Sequence, residues 1–386
     1  MKHKFLSKKY WVEEENTLGG SGELARGYDD VINLSIGDPD LNTNPKIIEK
    51  ALEDALNGHT HYTAPGGYDE LREEICKFYK EEYNYDLETA ECMVTTSGCH
   101  AMWLVLQTVI DEGDEVIVFE PYFTPYIKQI EMAGGKAVKV KLTEEDGFQI
   151  NMERLGAAIT THTKAVIINT PNNPTGICLT KKTLENLSDV AKEKDLLVIA
   201  DDIYTAYTYE ETFLPVTTIE GMKERTITVK SFSKDYCMTG WRVGYVLAPS
   251  FIIDTMININ ENNVYSAPSV SQRAGLYALR MRHEIQKDIV EEFKNRAFYT
   301  YERIQNTPKI SCIKPTGSIY LFVNIKETGF TSKEFTEKLL KEAHVLVIPG
   351  NAFGESGEGY VRLALTVNVE KLKEAFDRIE KFIGEL

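Results

Sequence analysis

The sequence has little cysteine and no long apolar run. Its six cysteines, among 386 residues, include no C-x-x-C pair, which argues against a zinc site or a redox motif. Scattered cysteines in a chain of this length do not indicate a disulfide scaffold either, so we expect free thiols in a reducing compartment. Apolar stretches such as 196–200 are far too short to span a membrane, and the first residues lack the apolar core of a signal peptide. We therefore expect a soluble, cytoplasmic protein with no metal site and no membrane partner.

Positive charge is also scarce. Lysine and arginine number 43 against 59 aspartates and glutamates, which gives a net charge of −16. A chain this acidic is a poor general binder of nucleic acids or anionic membranes, so no nucleic-acid partner is expected. A local basic pocket for a small anion is still compatible with this balance. Apolar residues at 42% and charged residues at 26% argue against disordered and fibrous classes.

Short β-branched runs alternate with amphipathic helical stretches from residue 92 onward. The runs lie at 92–95, 115–119, 136–140, 165–169, 196–200, 226–230 and 243–247. Near-continuous apolar strands separated by helices predict an α/β fold, with a mostly parallel seven-stranded sheet covered on both faces in a three-layer large domain. The loop before the last run has no room for a crossover helix, which is compatible with one antiparallel strand.

The pattern changes after about residue 280. A long charged helix is followed by strand-like runs at 318–325, 345–348 and 360–366, with helices at 331–343 and 369–383. This predicts a smaller α+β domain. We expect residues 1–45 to form an N-terminal arm and part of the small domain, 46–280 the large domain, and 281–386 the small C-terminal domain.

The segment KSFSKDYCMTGWRVGYV combines a lysine with phosphate-binding residue types. Lys234 follows Ser231 and Ser233, and Arg242 comes shortly after. A lysine amine condenses with aldehydes once it has lost its proton, and burial near other cations lowers its pKa. Hydroxyls and a guanidinium are what a phosphate group binds. Taken alone, the lysine is better explained as a solvated side chain and the arginine as a structural one.

Three further segments follow predicted strands, at the sheet edge where open α/β sheets bind ligands. NTPNNPTG follows the strand AVII; Asp201 and Tyr204 follow LLVIA, and an acid there can pair with a cationic ring nitrogen. TTSGCHA would place free backbone N–H groups at a helix N-terminus, where anions bind. The glycines of a Walker loop or a G-x-G-x-x-G motif are missing. Each segment alone is also compatible with an ordinary turn or helix cap.

Together and in this order, S-x-S-K with its later G-x-R-x-G, NNPTG and D-x-I-Y resemble the class I/II aminotransferases of pyridoxal-phosphate fold type I, the aspartate aminotransferase superfamily. The resemblance extends from Gly37 to the C-terminal helix. It implies a pyridoxal 5'-phosphate (PLP) cofactor bound by the large domain and a homodimer with a shared active site. The implied reaction moves an amino group from an L-amino acid to a 2-oxo acid, by a ping-pong mechanism through a Lys234 aldimine.

The resemblance also implies roles around the cofactor ring. Lys234 would be the catalytic residue that carries PLP and shuttles the substrate proton. Asp201 would face the pyridine nitrogen, while Asn173 and Tyr204 would hydrogen-bond the phenolic oxygen. Phe123, in EPYFTPY, would stack on the ring, with the neighbouring tyrosines as alternative stackers.

The remaining implied residues bind the phosphate and the substrate. The phosphate would contact Gly98, Cys99, Ser231, Ser233 and Arg242, together with Tyr62 from the partner chain. Arg362, in GYVRLALT, would bind the substrate carboxylate beside Gly37 and Asn173. The segment NENNVYSAP lacks the arginine with which family members select dicarboxylates, which argues against a dedicated aspartate specificity.

Other functions are compatible with parts of this pattern. A cystathionine-type C–S β-lyase shares the core residues of the same fold. A transcription regulator with an aminotransferase-like domain would carry a basic helix-turn-helix before that domain. Only about 30 residues precede VINLSIG and the chain is strongly acidic, which argues against this function. A non-catalytic nucleotide-binding α/β protein would not need Lys234.

Overall fold

A seven-stranded mixed sheet forms the centre of the molecule. The computed structural model describes residues 3–7, 10, 25, 27, 28, 30–210 and 212–386. The strands are β1 (Ile32–Asn33), β2 (Cys92–Thr95), β3 (Glu115–Glu120), β4 (Lys136–Lys141), β5 (Thr163–Asn169), β6 (Leu197–Asp201), β7 (Thr226–Ser231), β8 (Gly244–Leu247), β9 (Tyr320–Asn324), β10 (Val345–Leu346), β11 (Ile348–Pro349) and β12 (Tyr360–Ala364). The large sheet has the order β2-β8-β7-β6-β5-β3-β4. Its strands pair in parallel except β8, which is antiparallel to both neighbours. This confirms the predicted α/β class.

Helices cover both faces of this sheet. The α-helices among the described residues are α1 (Pro45–Leu56), α2 (Asp69–Tyr83), α3 (Ser97–Val109), α4 (Pro125–Met132), α5 (Met152–Ala158), α6 (Lys181–Glu193), α7 (Phe232–Asp235), α8 (Ser250–Glu261), α9 (Ser269–Arg280), α10 (Arg282–Gln305), α11 (Ser332–Ala343) and α12 (Val369–Gly384), of which α11 and α12 pack around the C-terminal strands. Successive side chains of a strand point to opposite faces. Val116 and Val118 of β3 accordingly belong to one buried cluster and Ile117 and Phe119 to another, which gives the three predicted layers.

The strands differ in sequence according to their place in the sheet. Every residue of β3 is buried, because helices cover both of its faces and strands flank both of its edges. The edge strand β4 reads KAVKVK, and its lysines are exposed. Charged residues on an edge strand discourage pairing with another chain.

The C-terminal part of the chain forms a separate antiparallel sheet, with the order β11-β12-β9. In this sheet Arg362 is paired with Phe322 on one side and with Ile348 on the other. The predicted run at 345–348 divides into two strands, of which β10 pairs in parallel with β1 near the N-terminus. The division into parts at 1–45, 46–280 and 281–386 stays a prediction.

The carboxyl ends of β5, β6 and β7 meet at one edge of the large sheet. Asn169 is paired with Asp201, and Asp201 with Val229, two residues before Ser231. The sheet therefore brings the ends of three predicted site segments together. In the part of the chain that the structure describes, no helix has both the length and the apolar character to cross a bilayer.

Candidate active site

A cavity of about 390 Å³ opens at this edge of the sheet. Of the residues predicted for the site, those that line the cavity are Gly37, Gly98, Cys99, Phe123, Asn173, Asp201, Tyr204, Ser231, Ser233, Lys234, Arg242 and Arg362. Tyr62 does not line the cavity of its own chain. Its side chain is 87% exposed and meets Tyr265 edge-on, with 5.1 Å between ring centroids.

Lys234 lies on α7, a single turn of helix between β7 and β8. The sequence predicted a loop at this place. The amine of Lys234 donates to the carbonyl of Gly37, and its backbone carbonyl accepts from the hydroxyl of Tyr207 at 2.7 Å. A Cβ at position 37 would lie 1.8 Å from the Tyr320 hydroxyl, so any other residue there would force the Tyr320 ring to move. The lysine amine is thereby held between the large sheet and the segment after β1.

Asp201 ends β6 and is 4% exposed. One carboxylate oxygen, Oδ2, accepts from the hydroxyl of Tyr126, while Oδ1 is buried without a partner among the described residues. Burial raises the pKa of Asp201 to about 6, although the Tyr126 hydroxyl and the charge of Lys230 favour the ionised form. An unpaired buried carboxylate oxygen beside a cavity is a ready acceptor for a ligand N–H.

The loop after β5 presents Asn173 to the cavity. The Asn169 side chain fixes this loop, because its Nδ2 donates to the carbonyl of Asp201 at 2.9 Å and its Oδ1 accepts from the Asn173 N–H at 2.8 Å. The Asn173 Oδ1 in turn accepts from Nη1 of Arg362 at 3.1 Å. Sequence reasoning missed Asn169, although its place as the first residue of NTPNNPTG was a usable signal.

Arg362 projects from β12 and is 4% exposed. Its guanidinium carbon lies 4.5 Å from the ring centroid of Tyr320 and 4.9 Å from that of Phe353. Nη2 donates to the carbonyl of Ser35, and Nε is buried without a partner among the described residues. Burial lowers the pKa of Arg362. A guanidinium held in this way, with an unused donor, suits recognition of a carboxylate.

An anion-binding corner lies at the N-terminus of α3. Thr96 precedes the helix and makes no side-chain cap, so N–H groups of the first turn remain for a ligand. A Cβ on Gly98 would lie 2.8 Å from Ile203 Cδ1, and one on Gly244 would lie 3.0 Å from the Gly98 nitrogen. Gly244 therefore allows β8 to approach the start of α3 closely, and Gly98 allows Ile203 to pack against the same turn.

Hydroxyls and a guanidinium complete this corner. The Ser231 hydroxyl donates to that of Ser233 at 2.9 Å, and Nη1 of Arg242 donates to the carbonyl of Thr239 at 2.9 Å. Cys99 also lines the cavity, and burial raises the pKa of its thiol. The corner thus combines a helix N-terminus, two hydroxyls and one cation.

Phe123 lines the cavity, whereas Tyr126 lies behind it against Asp201. The two rings meet edge-on, with 5.6 Å between centroids. The register chosen from the sequence therefore puts Phe123 at the cavity wall. The contact of Tyr126 with Asp201 was not foreseen.

Asp202 provides a pH-dependent test of this buried region. It is 1% exposed, and burial raises its pKa to about 8, with Lys230 opposing and the carboxyl groups of Asp201 and Asp235 adding to the rise. A carboxyl whose pKa rises from 3.8 to about 8 on folding stabilises the fold below pH 3.8, and this contribution is lost as the pH rises to about 8. We expect the cofactor-free wild type to lose stability relative to Asp202→Asn over this range. Thermal unfolding of both proteins at several pH values measures the difference in stability between them. A difference that does not change with pH would contradict the raised pKa of Asp202.

The chain shares its sequence pattern with a known family. The model of the family "Aminotransferase class I and II" matches residues 29–379. The chain belongs to this family. It is an aminotransferase, and members of the family are generally PLP-dependent.

Individual relatives agree with this assignment. The chain is 41% identical to an aspartate aminotransferase of Pyrococcus abyssi and 39% identical to aromatic-amino-acid aminotransferase 2 of Thermococcus litoralis, each over 94% of both chains. The solved aromatic aminotransferase of Pyrococcus horikoshii superposes with a TM-score of 0.90 at 39% identity, over 95% of this chain and 99% of the other. These similarities confirm the predicted family and its fold.

Proposed function

We propose that this aminotransferase uses PLP bound to Lys234 to move the amino group of an L-amino acid to a 2-oxo acid in a ping-pong reaction. One observation carries the proposal: Lys234, Asp201 and Arg362 line a single cavity, and Oδ1 of Asp201 has no partner among the described residues. These are a group that condenses with an aldehyde, an acceptor for a cationic ring nitrogen and a carboxylate receptor.

The residues of the cavity fit PLP. A protonated pyridine nitrogen would satisfy the unpaired Asp201 oxygen. A phosphate would fit the anion-binding corner, where Gly98, Ser231 and Arg242 surround the start of α3. Phe123 at the wall would stack on the ring, and Asn173 and Tyr204 are the nearby partners for its phenolic oxygen.

PLP would supply an electron-withdrawing ring that makes the substrate Cα–H acidic. The Lys234 amine would take the proton from the substrate Cα as general base and would then donate a proton as general acid. Its partly buried position and its contact with Gly37 restrict where the amine can move. Asp201, held by Tyr126, would keep a negative charge against the ring nitrogen.

Arg362, whose guanidinium lies against the rings of Tyr320 and Phe353, would bind the substrate α-carboxylate. We expect Arg362→Ala to raise KM for the amino donor, because one charge-assisted pair worth about 2–3 kcal/mol is lost, which corresponds to about 30- to 150-fold. The affinity for PLP, measured by fluorescence titration, should stay near that of the wild type. An unchanged KM with a weakened PLP affinity would instead assign Arg362 to the cofactor.

A donor panel assayed with 2-oxoglutarate and with pyruvate tests the reaction and its substrate class. Among the described residues, the cationic side chains that line the cavity are Lys234, Arg242 and Arg362, and each already has a proposed role. We therefore expect donors with neutral side chains to give a higher kcat/KM than aspartate. Pyruvate release from cystathionine without any 2-oxo acid, in place of transfer, would favour the C–S β-lyase.

We also propose a homodimer in which Tyr62 of one chain reaches the phosphate bound by the other. The proposal is supported by the exposure of Tyr62, which leaves its hydroxyl unused by its own cavity. Exposed aromatic side chains are frequent at subunit interfaces. Sedimentation of the PLP-loaded protein measures the oligomeric state, and a fully active monomer would contradict the shared site.

A further inference from the structure

Glu120 is a buried acid that none of the roles above explains. It ends β3 and is 2% exposed. Its carboxylate accepts the backbone N–H groups of Glu355 at 2.9 Å and Ser356 at 3.3 Å. The nearest cation is Lys139, whose amine lies 3.9 Å away on a side chain that is 41% exposed. A buried carboxylate is costly unless hydrogen bonds replace its water, so these two backbone bonds hold Glu120 in place.

The contacted backbone belongs to the loop between β11 and β12. A second bond fixes the same loop, since the Tyr122 N–H donates to the carbonyl of Phe353 at 3.0 Å. Gly354 has a φ of +115°, and a Cβ there would lie 2.1 Å from Oε1 of Glu120. The glycine therefore leaves the space that the carboxylate fills. Residues 353–356 are attached to the end of β3 by side-chain and backbone contacts together.

This loop leads directly to Arg362. The Phe353 ring is fully buried and lies beneath the guanidinium, 4.9 Å from its central carbon. On the other side of the contact, Phe123 follows Glu120 by one short turn and lines the cavity. Glu120 thus connects two walls of the cavity: the one that carries Phe123 and the one that carries Arg362.

We propose that Glu120 is a positioning residue that clamps the loop 353–356 onto β3 and thereby sets the orientation of Arg362 toward the substrate carboxylate. The inference rests on the proposed role of Arg362. Without the Glu120 contacts, the bond between the Tyr122 N–H and the Phe353 carbonyl still attaches the loop, but Phe353 and the guanidinium above it are held less firmly. The effect falls on substrate binding, because Glu120 contacts none of Lys234, Asp201 and the anion-binding corner directly.

Two substitutions at residue 120 test the clamp in the PLP-loaded protein. Glu120→Ala removes both acceptors, and Glu120→Gln keeps one acceptor oxygen but no charge. We expect Glu120→Ala to raise KM for the amino donor on the order of 10-fold, with Glu120→Gln intermediate and kcat within about twofold of wild type. The PLP affinity should be unchanged, and the amides of Glu355 and Ser356 should exchange hydrogen faster. If Glu120→Ala does not fold, Glu120→Gln gives the same comparison.

Lys139→Met is the matched control, because it removes the neighbouring charge without touching the loop. Its KM should stay at the wild-type value. Faster exchange in Glu120→Ala with an unchanged KM overturns the positioning role if Arg362→Ala still raises KM. A wild-type KM in both Glu120→Ala and Arg362→Ala instead overturns the proposed role of Arg362. A lower kcat, a higher KM and a weaker PLP affinity, all changed by similar factors, would show that Glu120 only stabilises the fold.

Discussion

Lys234→Ala is expected to abolish transamination while the protein stays folded. The amine is the general base and acid of the proposed proton transfer, and such a group contributes about 10²- to 10⁴-fold. Its loss also removes the covalent attachment of PLP, so the decrease in kcat should lie at the upper end of this range. The side chain is only partly buried and makes one hydrogen bond, to the Gly37 carbonyl, so little stability is lost. Steady-state kinetics and thermal unfolding measure the two quantities.

Lys234→Arg is the matched variant. It keeps the positive charge and a donor for the Gly37 carbonyl, but a guanidinium stays protonated and does not condense with an aldehyde. We expect it to be as inactive as Lys234→Ala. Wild-type activity in either variant would exclude Lys234 as the proton carrier.

Asp201→Ala should weaken cofactor function far more than Asp202→Ala does. Among the described residues each aspartate has one buried carboxylate oxygen without a partner, but Asp201 lines the cavity and Asp202 does not. Removing a preorganised charge partner costs about 10²- to 10³-fold in rate. We expect a loss of this size in kcat for Asp201→Ala, together with a weaker affinity for PLP.

The comparison of the two aspartates is internally controlled, because both side chains are carboxylates with raised pKa values in the same buried region. A general effect of emptying this region would appear in both variants. The opposite order of losses would show that Asp202, and not Asp201, acts on the ring. Tyr126→Phe should give a smaller loss than Asp201→Ala, since it removes only the hydroxyl that orients the carboxylate.

The sequence predicted those features that depend on neighbouring residues in the chain. Strands such as β3 and β6 are short apolar runs, and the polar segments that follow β5, β6 and β7 reach one cavity because parallel strands end at one edge. The roles implied by the family resemblance then fell on residues that line this cavity, with Tyr62 as the exception.

Features that depend on distant contacts were not predictable in this way. Tyr126 reaches Asp201 across 75 positions, and Glu120 reaches Ser356 across 236. No prediction was made for helix α9, whose buried residues include the polar side chains of Ser271, Gln272 and Arg273. Gln272 is fully buried and donates to Thr63 at 2.9 Å, a pairing that no local pattern reveals.

Borohydride reduction of the PLP-loaded protein, followed by peptide mass spectrometry, tests the central claim most directly. The account predicts one pyridoxyl adduct, on Lys234. The buried Lys230, which is engaged with Asp235 at 2.6 Å, should stay unmodified and serves as an internal control. An adduct on another lysine, or none at all, would contradict the account.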